Sequence, residues 1–261
     1  VLRLSQGHLT LLETCPRRFQ HTVLDALAVP ATPEQWLAQQ WGDRFHLLMQ
    51  QRELGLPIEP VLAEDGELQG AVAALTQADP TLFEFTEAFR QSEHSRSLRV
   101  HGYWFTAIYD LLRLWPDRGE IVDWKTYRQP RPPDLLAKDW QTRLYCYLLV
   151  ETTDLAPEQV TMVYWFVRHR DSSTQAWQPQ SVRIPYDRRR HEQTQADLHQ
   201  WCDRLTPWLE APEDWPQIPP TPRGLETCRQ CPFAVRCQRA RGDGVDPDPL
   251  PPLDAIPELA L

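Results

Sequence analysis

The sequence predicts an α/β fold built around a mixed sheet, and three observations carry that prediction. The stretch from Tyr103 to Thr126, YWFTAIYDLLRLWPDRGEIVDWKT, alternates apolar and polar residues, breaks at the turn signal PDRG and resumes as EIVDW, the pattern of a β-hairpin. TMVYWFVRH, beginning at Thr161, is dense in β-branched and aromatic residues, as a buried strand requires. The segments before, between and after these strands place apolar residues at helical spacing. Helices, strands, helix, strands, helix is the order of a layered α/β domain.

Taken in order, Ser5 suits a helix cap, and Leu9, Leu12, Phe19, Val23 and Leu27 line one face of HLTLLETCPRRFQHTVLDAL. Pro16 interrupts that run, so a kink or a short first helix ending near Cys15 is expected. A second helix opens with Pro33 at its first position and runs through EQWLAQQWGDRFHLLMQQREL until Gly55 and Pro57 stop it. Residues 66 to 94 read as two more helical pieces separated by Asp79-Pro80. A strand near Arg96 to His101 leads into the hairpin. After the prolines of QPRPP, the segment PDLLAKDWQTRLYCYLLVETT reads as one helix of about five turns. The strand TMVYWFVRH has TQAWQPQSVRIPY as its partner, and a last long helix spans roughly 187 to 210. The proline-rich stretch from Pro212 to Pro222 is extended enough to carry the chain back across the domain. The expected organisation is one domain over 1–241, with a helical N-terminal region over 1–94, a catalytic core over 95–211 and a cysteine segment over 212–241. The acidic, proline-rich tail 242–261 has no core to join.

Of 261 residues, 41% are hydrophobic and 24% charged, enough to build a core. The formal charge of −9 argues against non-specific coating of nucleic acid, which rests on neutralising phosphates. A local basic cleft is compatible with that charge: Arg128, Arg131, Lys138 and Arg143 follow the hairpin, and further arginines come later. They would matter if they converge. No apolar run is long enough to span a membrane, and VLRLSQGHLTLLETC lacks the apolar core of a signal peptide, so the expected compartment is the cytoplasm.

The hairpin carries the chemistry. One strand delivers Asp110 and the next Asp123, and the period of two puts Asp123 and Lys125 on one face with Trp124 on the other. Paired carboxylates can share a hard divalent cation that takes oxygen ligands. Lysine is scarce here, at two residues among the 27 Lys and Arg, so Lys125 stands apart from the cations used only for charge. It could orient a water or neutralise a phosphate; the same string also suits an ion pair in a half-buried hairpin.

Cys228, Cys231 and Cys237 in TCRQCPFAVRCQ form a C-x2-C-x5-C run, and Cys15, followed by proline as Cys231 is, best supplies a fourth thiol. A metal on four thiolates would clasp the N-terminal helix to the C-terminal segment, and its binding energy would count as folding energy. Zinc and a [4Fe–4S] cluster both suit four thiolates; the lone distant cysteine and the five-residue gap favour iron–sulfur. Cys146 and Cys202 lie among apolar helix residues and need only pack.

Together these pieces resemble the PD-(D/E)xK nuclease superfamily, and within it the RecB-like exonuclease branch with an iron–sulfur cluster, seen in AddB-type helicase–nucleases and CRISPR-associated adaptation nucleases. The resemblance runs from Leu4 to Arg239. It implies a restriction-endonuclease-like core, and a site made of His46 in WGDRFHLL, Asp110 in AIYDLL, Asp123 and Lys125 in VDWKT, and Gln141 with Tyr145 in WQTRLYCYLL. It implies Mg²⁺ or Mn²⁺ on His46, Asp110, Asp123 and the Trp124 carbonyl, and a cluster on Cys15, Cys228, Cys231 and Cys237. Gln141 and Tyr145, four apart on a helix, would face the same way. Many relatives have glycine two residues before the strand aspartate and arginine just after it; Ile108 and Leu111 stand there in this chain. The function implied is metal-dependent DNA cleavage, as an exonuclease on single-stranded or end-processed DNA. The alternatives are an inactive nucleic-acid-binding scaffold and a structural iron–sulfur subunit of a repair complex. No phosphate loop G-x-x-x-x-G-K-[ST] is present, so any motor would come from a helicase, repair or CRISPR partner.

Overall fold

A computed structural model describes residues 2–27, 33–127 and 129–239. Six strands form one mixed sheet: β1 (Arg3–Leu4), β2 (Phe89–Val100), β3 (Tyr103–Leu114), β4 (Gly119–Lys125), β5 (Val160–Phe166) and β6 (Gln180–Pro185). β2 and β3 are antiparallel over their whole length, joined at His101 and Gly102, whose backbones both take the left-handed region (φ 46° and 90°) that a tight hairpin turn demands. The other edge of β3 is shared. β1 lies parallel along Trp104 and Phe105, and β4 antiparallel along Leu111 to Leu114. β5 then runs parallel to β4, and β6 antiparallel to β5.

The period of two sorts the sheet into two cores. On one face Ile121, Met162, Tyr164 and Phe166 pack with α1 (Gln6–Thr14), α7 (Trp140–Glu151) and α8 (Arg188–Glu210) through Leu9, Leu144, Leu148, Leu198 and Leu205. On the other, Val122, Trp124, Val163 and Trp165 meet Phe45, Leu48 and Met49 of α3 (Pro33–Glu53) and Leu68, Val72 and Leu75 of α5 (Gly66–Ala78). Burying one such large side chain contributes about 1.5–3 kcal/mol, so both layers are held firmly to the strands that carry the acids. This mixed sheet flanked by helices is a restriction-endonuclease-like arrangement.

Several elements follow the sequence closely. α1 stops at Thr14, Cys15 turns extended (φ −167°), and Pro16 opens the short α2 (Pro16–Phe19). α3 starts on Pro33 as expected. Others differ. The second helical piece within 66–94 is a 3₁₀ turn, Pro80–Phe83, and the strand expected from Arg96 begins at Phe89. The reason is FRQSEHSRSLRV, which alternates between exposed and half-buried positions, a strand period in polar dress. Within it Arg90 is buried by a bidentate pair with Glu53 (2.6 and 2.7 Å) and by Glu87, which also meets Arg113. The five-turn helix after the proline cluster is two: α6 (Pro133–Leu136) and α7. Asp139 is extended (ψ 141°) and starts α7 afresh, while the Thr142 hydroxyl donates to the Leu136 carbonyl at 2.6 Å and fixes the corner. α4 (Glu59–Glu64) and the two-residue β1 were not expected. A final short helix, α9 (Pro222–Arg229), carries the cysteine segment, and the tail 242–261 lies outside the described residues.

Candidate active site

The β3–β4 ladder ends at the pair Leu111 and Val122, so Asp110 and Asp123 sit just past it, where the strands part. There the Trp124 N–H, no longer used by the ladder, donates to Asp110 Oδ2 at 2.7 Å. α3 crosses above. Phe45 packs edge-on against Trp124 with ring centroids 6.2 Å apart, and Gly42 lets the helix close on the end of β4, since a Cβ there would come 3.0 Å from Thr126 Oγ1. One turn on, His46 is left over the splayed strands. Its Nε2 is 3.1 Å from the Trp124 carbonyl oxygen and its Nδ1 3.4 Å from Asp110 Oδ1.

The structure adds a residue that sequence reasoning missed. Ser92 pairs with Leu111 and His94 with Tyr109, so Glu93 falls opposite Asp110. Its backbone is left-handed (φ 49°), a conformation uncommon for a non-glycine residue in mid-strand. Ligand atoms of His46, Glu93 and Asp110 all lie within 4.8 Å of one another. The electrostatics follow. Burial opposes protonation of His46, yet the hydrogen bond and charge of Asp110, with Asp123 and Glu93 behind it, lift the imidazole to about 9. Burial, then the charge of Asp123, raises Asp110, with His46 and the Trp124 amide offsetting part of it. Burial, then Asp110, raises Glu93. A cluster of carboxylates that resists ionisation is what a divalent cation would relieve.

On the α7 side, Lys125 Nζ donates to Gln141 Oε1 at 2.6 Å, and the Gln141 amide donates in turn to Asp123 Oδ2. Lys125 Nζ also stands 2.6 Å from Asp123 Oδ1, but out of line, so this oxygen of a buried carboxylate has no hydrogen bond. Tyr145, one turn after Gln141, hydrogen-bonds it and is buried; burial, with Asp123 and Asp110 nearby, pushes its phenol well above the ordinary value. Tyr109 donates to the Tyr145 carbonyl at 3.0 Å, tying α7 to β3.

The donor set suits a hard cation. One ligand atom each from His46, Glu93 and Asp110 lie within 4.8 Å of one another, close enough for a single small cation to draw them together. Asp123 Oδ1, which makes no hydrogen bond and faces the Lys125 ammonium, is a further oxygen beside this group. Of the expected ligands, His46, Asp110 and the Trp124 carbonyl thus converge, while Asp123 is turned towards Lys125 and Gln141 and lies outside the His46–Glu93–Asp110 group.

The four cysteines also meet. Cys15, Cys228, Cys231 and Cys237 line one small cavity with Arg18, Phe233 and Arg239. All are free thiols. Burial raises Cys237, and Cys231 and Cys15 add to the effect; burial raises Cys228 against the opposing charge of Arg239. The return path is pinned, with the Arg17 amide donating to Pro216 O at 3.0 Å and Gln20 to Pro212 O at 2.8 Å.

A profile of the PD-(D/E)XK nuclease superfamily matches residues 3–238. The chain belongs to that superfamily. A crystal structure of a candidate exonuclease from Eubacterium rectale is 12% identical, with 90% of this chain and 87% of that one covered and a TM-score of 0.51. The solved structure of SSO0001 is 14% identical over 91% and 86%, with a TM-score of 0.39. No functionally curated protein matches. A PD-(D/E)XK protein is a nuclease that uses divalent metal.

The basic residues are divided. Arg131 pairs with Asp139 at 2.5 Å and Arg143 with Asp197. Lys138, Arg143, Arg189 and Arg190 line a groove of about 640 Å³, which Asp134, Asp187 and Asp197 share. Arg168 and Arg170 meet Glu67 elsewhere, and Arg128 lies outside the described residues. Among the described residues no helix is long and apolar enough to cross a membrane.

Proposed function

We propose that this PD-(D/E)XK protein is a Mg²⁺- or Mn²⁺-dependent deoxyribonuclease of the RecB-like branch, trimming DNA from single-stranded or processed ends. The observation that carries the reading is the convergence, where β3 and β4 part, of His46, Asp110 and the Trp124 carbonyl beside the Asp123–Lys125–Gln141 chain. Oxygen donors with one imidazole favour Mg²⁺ or Mn²⁺. His46, Asp110, Asp123 and the Trp124 carbonyl would hold the ion, which when bound supplies Lewis-acid polarisation of a phosphate oxygen. Gln141 fixes Lys125 against Asp123, so the ammonium can orient the attacking water or steady the charge growing on the phosphate. Tyr145 holds Gln141 in place. The exonuclease direction agrees with the description of the Eubacterium rectale neighbour. Lys138 and Arg143 border a path for the DNA backbone, with Arg131 and Arg128 beside it in sequence.

The cysteines support a structural [4Fe–4S] clasp over zinc. A tetrahedral zinc with Zn–S bonds of about 2.3 Å draws its sulfurs to about 3.8 Å. Among the described residues no three thiols close to within 4.8 Å of one another. Six free cysteines fit a reducing, cytoplasmic compartment. Any unwinding would come from outside these residues, and a helicase or a repair or CRISPR-adaptation protein is the partner class we propose.

The test is degradation of end-labelled single-stranded and duplex DNA by anaerobically purified protein, with Mg²⁺, Mn²⁺ or chelator, alongside iron and acid-labile sulfide assays. Fragments appearing progressively from one end, only with metal, would support the reading. DNA binding without cleavage in any metal would mark an inactive scaffold instead.

A further inference from the structure

Next to the cysteine cavity stands a histidine that neither the nuclease site nor the four thiols account for. The chain after α2 widens into one π-helical turn, Gln20–Leu24, in which the Asp25 amide reaches back five residues to Gln20 O at 2.9 Å. Such insertions cost helix geometry and concentrate at functional sites. This one carries His21, whose residue surface is only 6% exposed. Asp25 Oδ2 holds Nδ1 at 2.8 Å, Phe233 packs on the ring with centroids 5.1 Å apart, and Nε2 faces Cys237 Sγ at 3.8 Å. The ring is therefore steered at one nitrogen and aimed at sulfur with the other.

A metal-bound thiolate is a strong acceptor, and a ring that donates from both nitrogens, Nδ1 to the Asp25 carboxylate and Nε2 to the sulfur, bridges the two anions. The arrangement suits the loaded cysteines better than the free ones. Histidines and carboxylates behind metal ligands commonly fix ligand orientation, and hydrogen bonds to cluster sulfurs set reduction potentials. We infer that His21, oriented by Asp25, is a positioning residue for the metal group on the four cysteines, hydrogen-bonding the Cys237 sulfur so that the group is held longer and, as an iron–sulfur cluster, reduced more easily. This rests on the four-cysteine metal reading above. His21 is not itself a ligand in this account.

The experiment compares anaerobically purified wild type, His21→Leu, His21→Gln and Asp25→Asn. Bound iron, zinc and sulfide are measured first, then the rate of metal loss to a chelator, then the midpoint potential from a reductive titration followed by visible absorbance and electron paramagnetic resonance. His21→Leu is expected to bind the group yet lose it about 10–100-fold faster, the range for loss of a supporting partner, with a lower potential. His21→Gln, which still offers an N–H, should recover part of both. Asp25→Asn should move both in the direction of His21→Leu but less far, and it carries the test if His21→Leu does not fold. Unchanged retention and potential in His21→Leu, or in Asp25→Asn if that alone folds, would overturn the inference while leaving the cluster in place. Wild type without iron or zinc would overturn both readings.

Discussion

Replacing Glu93 by Gln should raise the stability of the metal-free protein and at the same time weaken its hold on a cation. Glu93 and Asp110 face each other across β2 and β3, with ligand atoms within 4.8 Å. At an effective dielectric constant of about 20, two unit charges at that distance repel by about 3.5 kcal/mol. Solvent reaches Glu93, so screening reduces this to about 1 kcal/mol. For a domain of this size that corresponds to a rise in Tm of about 2–4 °C, measured at pH 8 with chelator. Cation binding should move oppositely. Losing one charged contact worth about 1.5–3 kcal/mol lowers Mn²⁺ affinity about 10–100-fold, read by calorimetric titration. Glu93→Gln that leaves both Tm and affinity unchanged would refute the assignment of Glu93 to the site.

Three further outcomes follow from the same geometry. With His46 raised to about 9, its interaction with Asp110 stabilises the metal-free fold fully below its unfolded value of 6.5 and is lost as pH rises through about 9. The cation competes for the same imidazole, so its affinity should climb between pH 7 and 9 by up to about tenfold per unit, and flatten in His46→Gln. Gln141→Ala should release Lys125 and Asp123 from their shared clamp and slow single-turnover cleavage about 100-fold with little change in Mn²⁺ binding. Glu87→Ala leaves Arg90 to Glu53 and Arg113 to its longer contact with Glu120, and should cost about 2 kcal/mol, seen as a fall in Tm of about 4–8 °C.

What could be read from the sequence was whatever local spacing encodes. Period two put Asp123 and Lys125 on one face, and the helical spacing of Gln141 and Tyr145 aimed both at that face; the structure brings these groups together. Cysteine arithmetic found four thiols that meet although Cys15 and Cys228 are far apart in the chain. Glu93 escaped because its role depends on register. Only pairing with β3 sets it opposite Asp110, and its polar surroundings were read as helix. The signal available was the alternation of FRQSEHSRSLRV ahead of the turn at His101-Gly102. The split between α6 and α7 was hidden for a related reason, since Asp139 looks like any helix residue until Thr142 ties back to Leu136. His21 gave no motif at all; a π-helical turn and a distant cysteine supply its context.

The most direct measurement is single-turnover cleavage of end-labelled single-stranded DNA in Mg²⁺ by wild type and Lys125→Ala, with equal amounts of DNA bound. If Lys125 serves the chemical step as its clamp by Gln141 and Asp123 implies, the mutant keeps its DNA and loses cleavage by about 10²–10⁴-fold. Cleavage at the wild-type rate by Lys125→Ala would contradict the account, because the activity would then reside outside the site where β3 and β4 part.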